Sequence, residues 1–85
     1  MTIKRNLFQP AELYEDFEAV NLDYIKELHL DIGVMKSVLE RFSDDDTIQQ
    51  MAQYFIRVDL NLIGNLKHEV LYDREQAEKF RRISG

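Results

Sequence analysis

Carboxylates and two histidines are the side chains of this 85-residue chain with most capacity for chemistry, and it has no cysteine. A di-iron helical bundle requires Glu-x-x-His steps, which set a carboxylate and an imidazole on one helix face. Here Lys26 precedes His29 by three and Asn65 precedes His68 by three, so neither histidine has that carboxylate. Glu27 and His29 are two apart and splay to different sides of a helix. His68, Glu69 and Asp73 or Tyr72 do gather at helical spacing, but a solvated face accounts for them. No metal and no cofactor is expected. Nucleophilic catalysis has as little to build on: Ser37, Ser43 and Ser84 lack a histidine nearby in sequence, and no glycine-rich loop is present to cradle a phosphate. A thin helical scaffold also leaves little room for a pocket of enzyme size, roughly 300 Å³ or more. The chain reads as non-enzymatic.

The carboxylates carry the positive signal. Glu12, Glu15, Asp16 and Glu18, then Asp23, Glu27 and Asp31, recur about 6 Å apart on successive helical turns, interrupted by Lys26 and Lys36. Sixteen acidic against eleven basic residues give a net charge of -5, which repels phosphates and favours a basic protein partner over direct nucleic-acid binding. Glu12, Glu15, Asp16, Asp23, Glu27 and Asp31 are therefore the candidate partner-binding face. Such a stripe imitates a phosphate backbone, as in the functional class of phage-encoded inhibitors, immunity proteins and antitoxins, whose targets include nucleic-acid-handling proteins. The plain alternative is a solvated helix face. A helix-turn-helix reading fails on charge, because Ser43-Asp44-Asp45-Asp46 would meet phosphates with the wrong sign, so Gln49, Gln50 and Gln53 are not read as base contacts. Arg74, Lys79, Arg81 and Arg82 complement a helix C-terminus or form a basic docking tail. Tyr14, Tyr24, Tyr54 and Tyr72 add the amphipathic rings that interfaces favour.

Helices must position these groups. Apolar residues make up 45 % of the chain and charged ones 32 %, a globular balance. The predicted fold is all-α, one domain over 1–85: an antiparallel helical hairpin plus a short N-terminal helix, three-helix-bundle-like with a long C-terminal helix. Residues 1–9 show neither helical nor strand periodicity and are expected to form an arm, with Ile3, Leu7 and Phe8 available to pack across a neighbouring helix end. Pro10 suits a first helical turn, so helix 1 is expected over 10–20, with Asn21 or Asp23 capping a second helix over 22–42. Ile25, Leu28, Ile32, Met35, Leu39 and Phe42 alternate by three and four, a heptad seam. The acidic turn then caps a third helix over 45–83, with the seam Ile48, Met51, Phe55, Val58 and Leu62. Gly64 or the Asp73-x-x-Gln76 step is the expected break, unless a second copy covers the rod.

The apolar arc of helix 3 is wider than one neighbour buries, which predicts a homodimer through Ile56, Leu60, Ile63 and Val70; a monomer folded back after Asp73 is the alternative. Asp59 falls inside that arc and needs a partner. The hairpin register sets it level with residues 29–32, making His29 the first candidate, Lys36 the second, and the Asp59/His29 pair a predicted buried polar contact. A structural, assembly or chaperone protein holding a partner helix along Leu60 to Leu71 is the second functional reading; a small metal- or pH-responsive protein is the third. Met1 to Arg5 carries charge with no apolar stretch following, and no segment approaches the ~20 apolar residues of a membrane span. A cytoplasmic protein is the expectation.

Overall fold

The computed structural model describes residues 10–84, and the arm expected over 1–9 lies outside the described residues. Two helices, α1 (Pro10–Arg41) and α2 (Asp46–Ser84), run antiparallel and pack along their length. The turn between them is held from both sides. Asp45 caps α2: its Oδ1 accepts the Ile48 N–H at 3.1 Å, and its carbonyl accepts the Gln49 N–H at 2.9 Å. Gln49 then reaches back from α2, its Nε2 donating to the Leu39 carbonyl at 2.8 Å and the Phe42 carbonyl at 2.9 Å. Those carbonyls stand at the end of α1, where the helix itself has no donors left.

The expected short helix 1 and helix 2 are one helix. Asn21 and Asp23 tolerate a cap without requiring one, and no glycine or proline interrupts the segment. The seam seen from Ile25 onward also extends backwards through Asn21, Glu18, Tyr14 and Ala11 in unbroken three-four spacing, all buried or half-buried. Polar Glu18 and Asn21 hid that continuation from a reading based on apolar spacing alone.

Two corrections apply to α2 as well. It does not break at Gly64 or Asp73 but continues for 39 residues, about 58 Å at ~1.5 Å each. Its seam is displaced by one residue from the expected row: Gln49, Ala52, Ile56, Asp59 and Ile63 replace Ile48, Met51, Phe55, Val58 and Leu62, a turn of about 100°. The expected row is richer in large apolar side chains but runs into Asn65 and Glu69. The observed row continues through Leu66, Val70, Asp73, Ala77 and Phe80, none of them exposed. It can therefore face a helix as long as α1 along its whole length.

The core is a single line of contacts, centred on Ile25, Leu28, Ile32, Ile63 and Val70 with Ile56, Leu62 and Leu66 against them. The molecule measures 66 × 23 × 13 Å, with a radius of gyration of 19.3 Å, where a compact chain of this length has about 12 Å. One helix pair cannot surround anything, and no large side chain among the described residues is fully buried. The result is a ribbon with two broad faces.

Candidate interaction face

The two faces differ in chemistry. Across one of them the helices are tied by charge: Arg74 Nε donates to Glu18 Oε2 at 2.6 Å, and Arg81 Nε donates to Glu15 Oε2 at 2.9 Å with Nη2 of the same guanidinium on the same oxygen. Helical spacing sets Lys26, Lys36, Arg57 and Lys67, all exposed, on this same side. This is the charge-paired face.

The opposite face is apolar over most of its length. On α1 a second three-four row runs Phe17, Val20, Tyr24, Glu27, Asp31, Val34 and Val38. On α2 the matching row is Ile48, Met51, Phe55, Val58, Leu62, Asn65, Glu69 and Tyr72. Two open grooves show that both rows look out the same way. Phe17 and Val20 line one together with Glu69 and Asp73; Val38 lines the other with Ile48, Met51 and Phe55. Val20 is 66 % exposed, Val34 56 % and Phe55 45 %. Near the open end of the hairpin Tyr14 stacks on Phe80 with centroids 5.9 Å apart and meets Phe17 and Tyr72 edge-on, so the aromatic end of this face is braced from behind.

Carboxylates interrupt the apolar rows, Glu27 and Asp31 midway along α1 and Glu69 beside Phe17 and Val20 towards the open end. Glu27, Asp31 and Glu69 point out of the ribbon, and Asp59 stands in the seam beside Asp31. Asp59 is 7 % exposed and its Oδ2 is buried with no hydrogen-bond partner. Burial is the main reason its pKa is raised; a proton shared with Asp31 and repulsion from that carboxylate add to it. Asp73, 5 % exposed, accepts a hydrogen bond from Asn21 Nδ2 at 3.2 Å. Its pKa is also raised, chiefly by burial and further by Glu69 and Glu18, while the Asn21 bond pulls the other way.

The six carboxylates expected to form one surface are divided. Glu15 is tied to Arg81, Glu12, Asp16 and Asp23 stand exposed on the outer side of α1, and Glu27 and Asp31 lie on the apolar face. Of the four residues expected at a dimer contact, Ile63 and Val70 are buried between α1 and α2 and Ile56 packs against that core. Leu60 is exposed, on the charge-paired side. His29 is exposed and not buried, and the group beside Asp59 is Asp31. Asp31 fell within the register window of residues 29–32; opposite charge argued for His29, and the structure pairs like with like. Among the described residues no three His, Asp or Glu side chains converge on a metal-sized site, and no helix is long and apolar enough to cross a membrane.

No family model matches the chain, and no match to it is found among curated proteins or solved structures.

Proposed function

We propose that this chain is a non-enzymatic protein-binding module, an adaptor or inhibitor whose partner lays a helix carrying basic residues among apolar ones along the face between Phe17 and Phe55. The observation that carries this reading is the make-up of that face: exposed Phe17, Val20, Val34, Met51 and Phe55 at its two ends and carboxylates between them. Helices pack roughly 8–10 Å apart, so the channel between two parallel rows accepts a third helix in register with both. Between their ends these rows carry only acidic charges, Glu27, Asp31 and Glu69, with the basic Arg41 and Lys79 continuing them beyond Val38 and Tyr72, so a cationic centre is what complements the acidic stretch.

A second copy in a dimeric bundle is the competing occupant. Stacking two such faces about a twofold axis brings Glu27, Asp31 and Glu69 of each copy against those of the other, like charges in a desolvating contact. Three of the four residues first expected at a dimer contact are already used inside the hairpin. Both arguments favour a partner of opposite charge, in keeping with the net charge of -5 and with a nucleic-acid-handling protein as target. The structural or chaperone reading places its partner helix along Leu60 to Leu71 instead, exposed residues on the charge-paired side.

The test is calorimetric titration with a synthetic amphipathic peptide about three heptads long, leucine at its a and d positions and one central arginine. Equimolar binding is expected; Val34→Asp with Phe55→Asp abolishes it, and Lys26→Ala with Arg57→Ala on the other face leaves it intact. Absence of binding overturns the reading. So does a stable wild-type dimer in sedimentation equilibrium that Val34→Asp with Phe55→Asp dissociates, because the face is then occupied by a second copy.

A further inference from the structure

The docking face contains one group that the hairpin leaves unfinished. Asp59 Oδ2 is buried and receives no hydrogen bond, although a buried carboxylate oxygen is ordinarily given a donor. Asp59 is not a product of poor local choice of helix former, since it occupies a seam position that every other turn fills with a packed or bonded side chain. Asp73, the other buried carboxylate, shows the contrast: it sits in the same row two heptads on and has Asn21 across from it as a donor. Across from Asp59 stands Asp31, which shares a proton with it but gives its buried Oδ2 no donor. Among the described residues the ion pairs Arg74–Glu18, Arg81–Glu15 and Arg82–Glu78 involve neither.

We infer that Asp31 and Asp59 form the seat for one cationic side chain, an arginine or lysine, brought by the helix that docks on the apolar face. The inference rests on the docking reading and names the contact that confers its specificity. Asp31 is exposed on the face and meets the cation first; Asp59 lies directly behind it in the seam. The terminal torsion of an aspartate is broad, so a small rotation turns the free oxygen of Asp59 towards the incoming group. A guanidinium has five donors in a planar fork and spans two carboxylates without leaving either short of a partner. Burial and Asp31 together hold the pKa of Asp59 above its ordinary value, and a cation between the two carboxylates relieves the second of these causes. A divalent metal is a poorer occupant, since calcium takes about 6–8 oxygen ligands and two aspartates supply few of them. Leucine-like groups on either side of the cation complete the match, with Val34 and Val58 towards the turn and Tyr24 and Leu62 towards the open end.

The experiment compares the arginine peptide with one in which norleucine replaces the arginine, titrated near neutral pH into the wild-type chain and into Asp31→Asn, Asp59→Asn and the double variant. The arginine peptide is expected to bind the wild type roughly tenfold or more tighter than the norleucine peptide. Each single variant shrinks that preference and the double variant removes it, while affinity for the norleucine peptide stays the same or rises. Circular dichroism of each variant confirms that the helices are retained; Asp31 is exposed, so Asp31→Asn alone suffices if Asp59→Asn alters the fold. Equal binding of the two peptides to the wild type, or an arginine preference that survives the double variant, overturns the seat while leaving the docking face standing. Failure of both peptides to bind overturns the docking face itself.

Discussion

Asp59 and Asp73 set the pH response of this molecule. Both are carboxylates whose pKa is raised in the folded chain, so between the ordinary aspartate value near ~4 and the raised value the folded state holds more protons than the unfolded one. Stability therefore rises as pH falls through the raised values, and the cost is carried above them. The melting temperature is expected to be higher near pH ~5 than near neutrality, and Asp59→Asn is expected to raise it at neutral pH by the equivalent of about 1 kcal/mol while flattening the profile. A neutral-pH melting temperature unchanged or lowered by Asp59→Asn contradicts this. Asn21→Ala works in the opposite sense. It removes the donor that Asp73 relies on, so it should cost about 1–3 kcal/mol near neutrality and less after acidification, as read from urea melts at two pH values. The exposed ion pairs weigh little against these two groups.

At the scale of the elements, what holds the hairpin closed is local. Gln49 joins the two helices by donating to two carbonyls at the end of α1 from the first turns of α2. Gln49→Ala is expected to destabilise by about 1–2 kcal/mol, with Asp45→Ala, which removes the cap on Ile48, costing about 1 kcal/mol. Differential melting of the two variants against the wild type decides this; a Gln49→Ala protein as stable as the wild type shows that the clamp is idle. Gly33 and Gly64 give the reverse case. A Cβ built on either meets nothing within 4 Å, so Gly33→Ala and Gly64→Ala should each stabilise by roughly 0.5–1 kcal/mol through helix propensity. Loss of stability at either position points instead to a close neighbour on the charge-paired face.

The whole molecule is a ribbon, and that shape separates stability from binding. Ile63 is in the line of contacts between the helices, so Ile63→Ala should cost about 2–4 kcal/mol, a large share of the few kcal/mol that a domain of this size commands. Phe55 stands on the open face at 45 % exposure, and Phe55→Asp should cost well under half of that while removing peptide binding. Equal destabilisation by the two substitutions indicates that Phe55 belongs to a core, and that the face is closed in the free protein. The apolar face is several helical turns long, and Asp16 and Asp23 stand exposed on the outer side of α1 beside it.

The helical class, the acidic turn and the apolar seam of α1 from Ile25 onward are legible in the residues alone, because three-four spacing and a run of short acidic side chains have local physical causes. So is the strain at Asp59, whose charge breaks an apolar arc wherever the chain is read as a helix. Which row of α2 turns inward was decided by tertiary structure. Two rows compete one residue apart, and the winner, with Gln49, Ala52, Asp59 and Asp73 in it, is the less apolar over its first half. It wins on length, since it alone gives α1 a partner from the turn to Phe80, with Gln49 closing one end and Asn21 answering Asp73 near the other. Turning that row inward leaves Met51, Phe55 and Val58 outside, beside Val34 and Val38 of α1. The open apolar face thus follows from the pairing of the two helices, which no stretch of either helix specifies by itself.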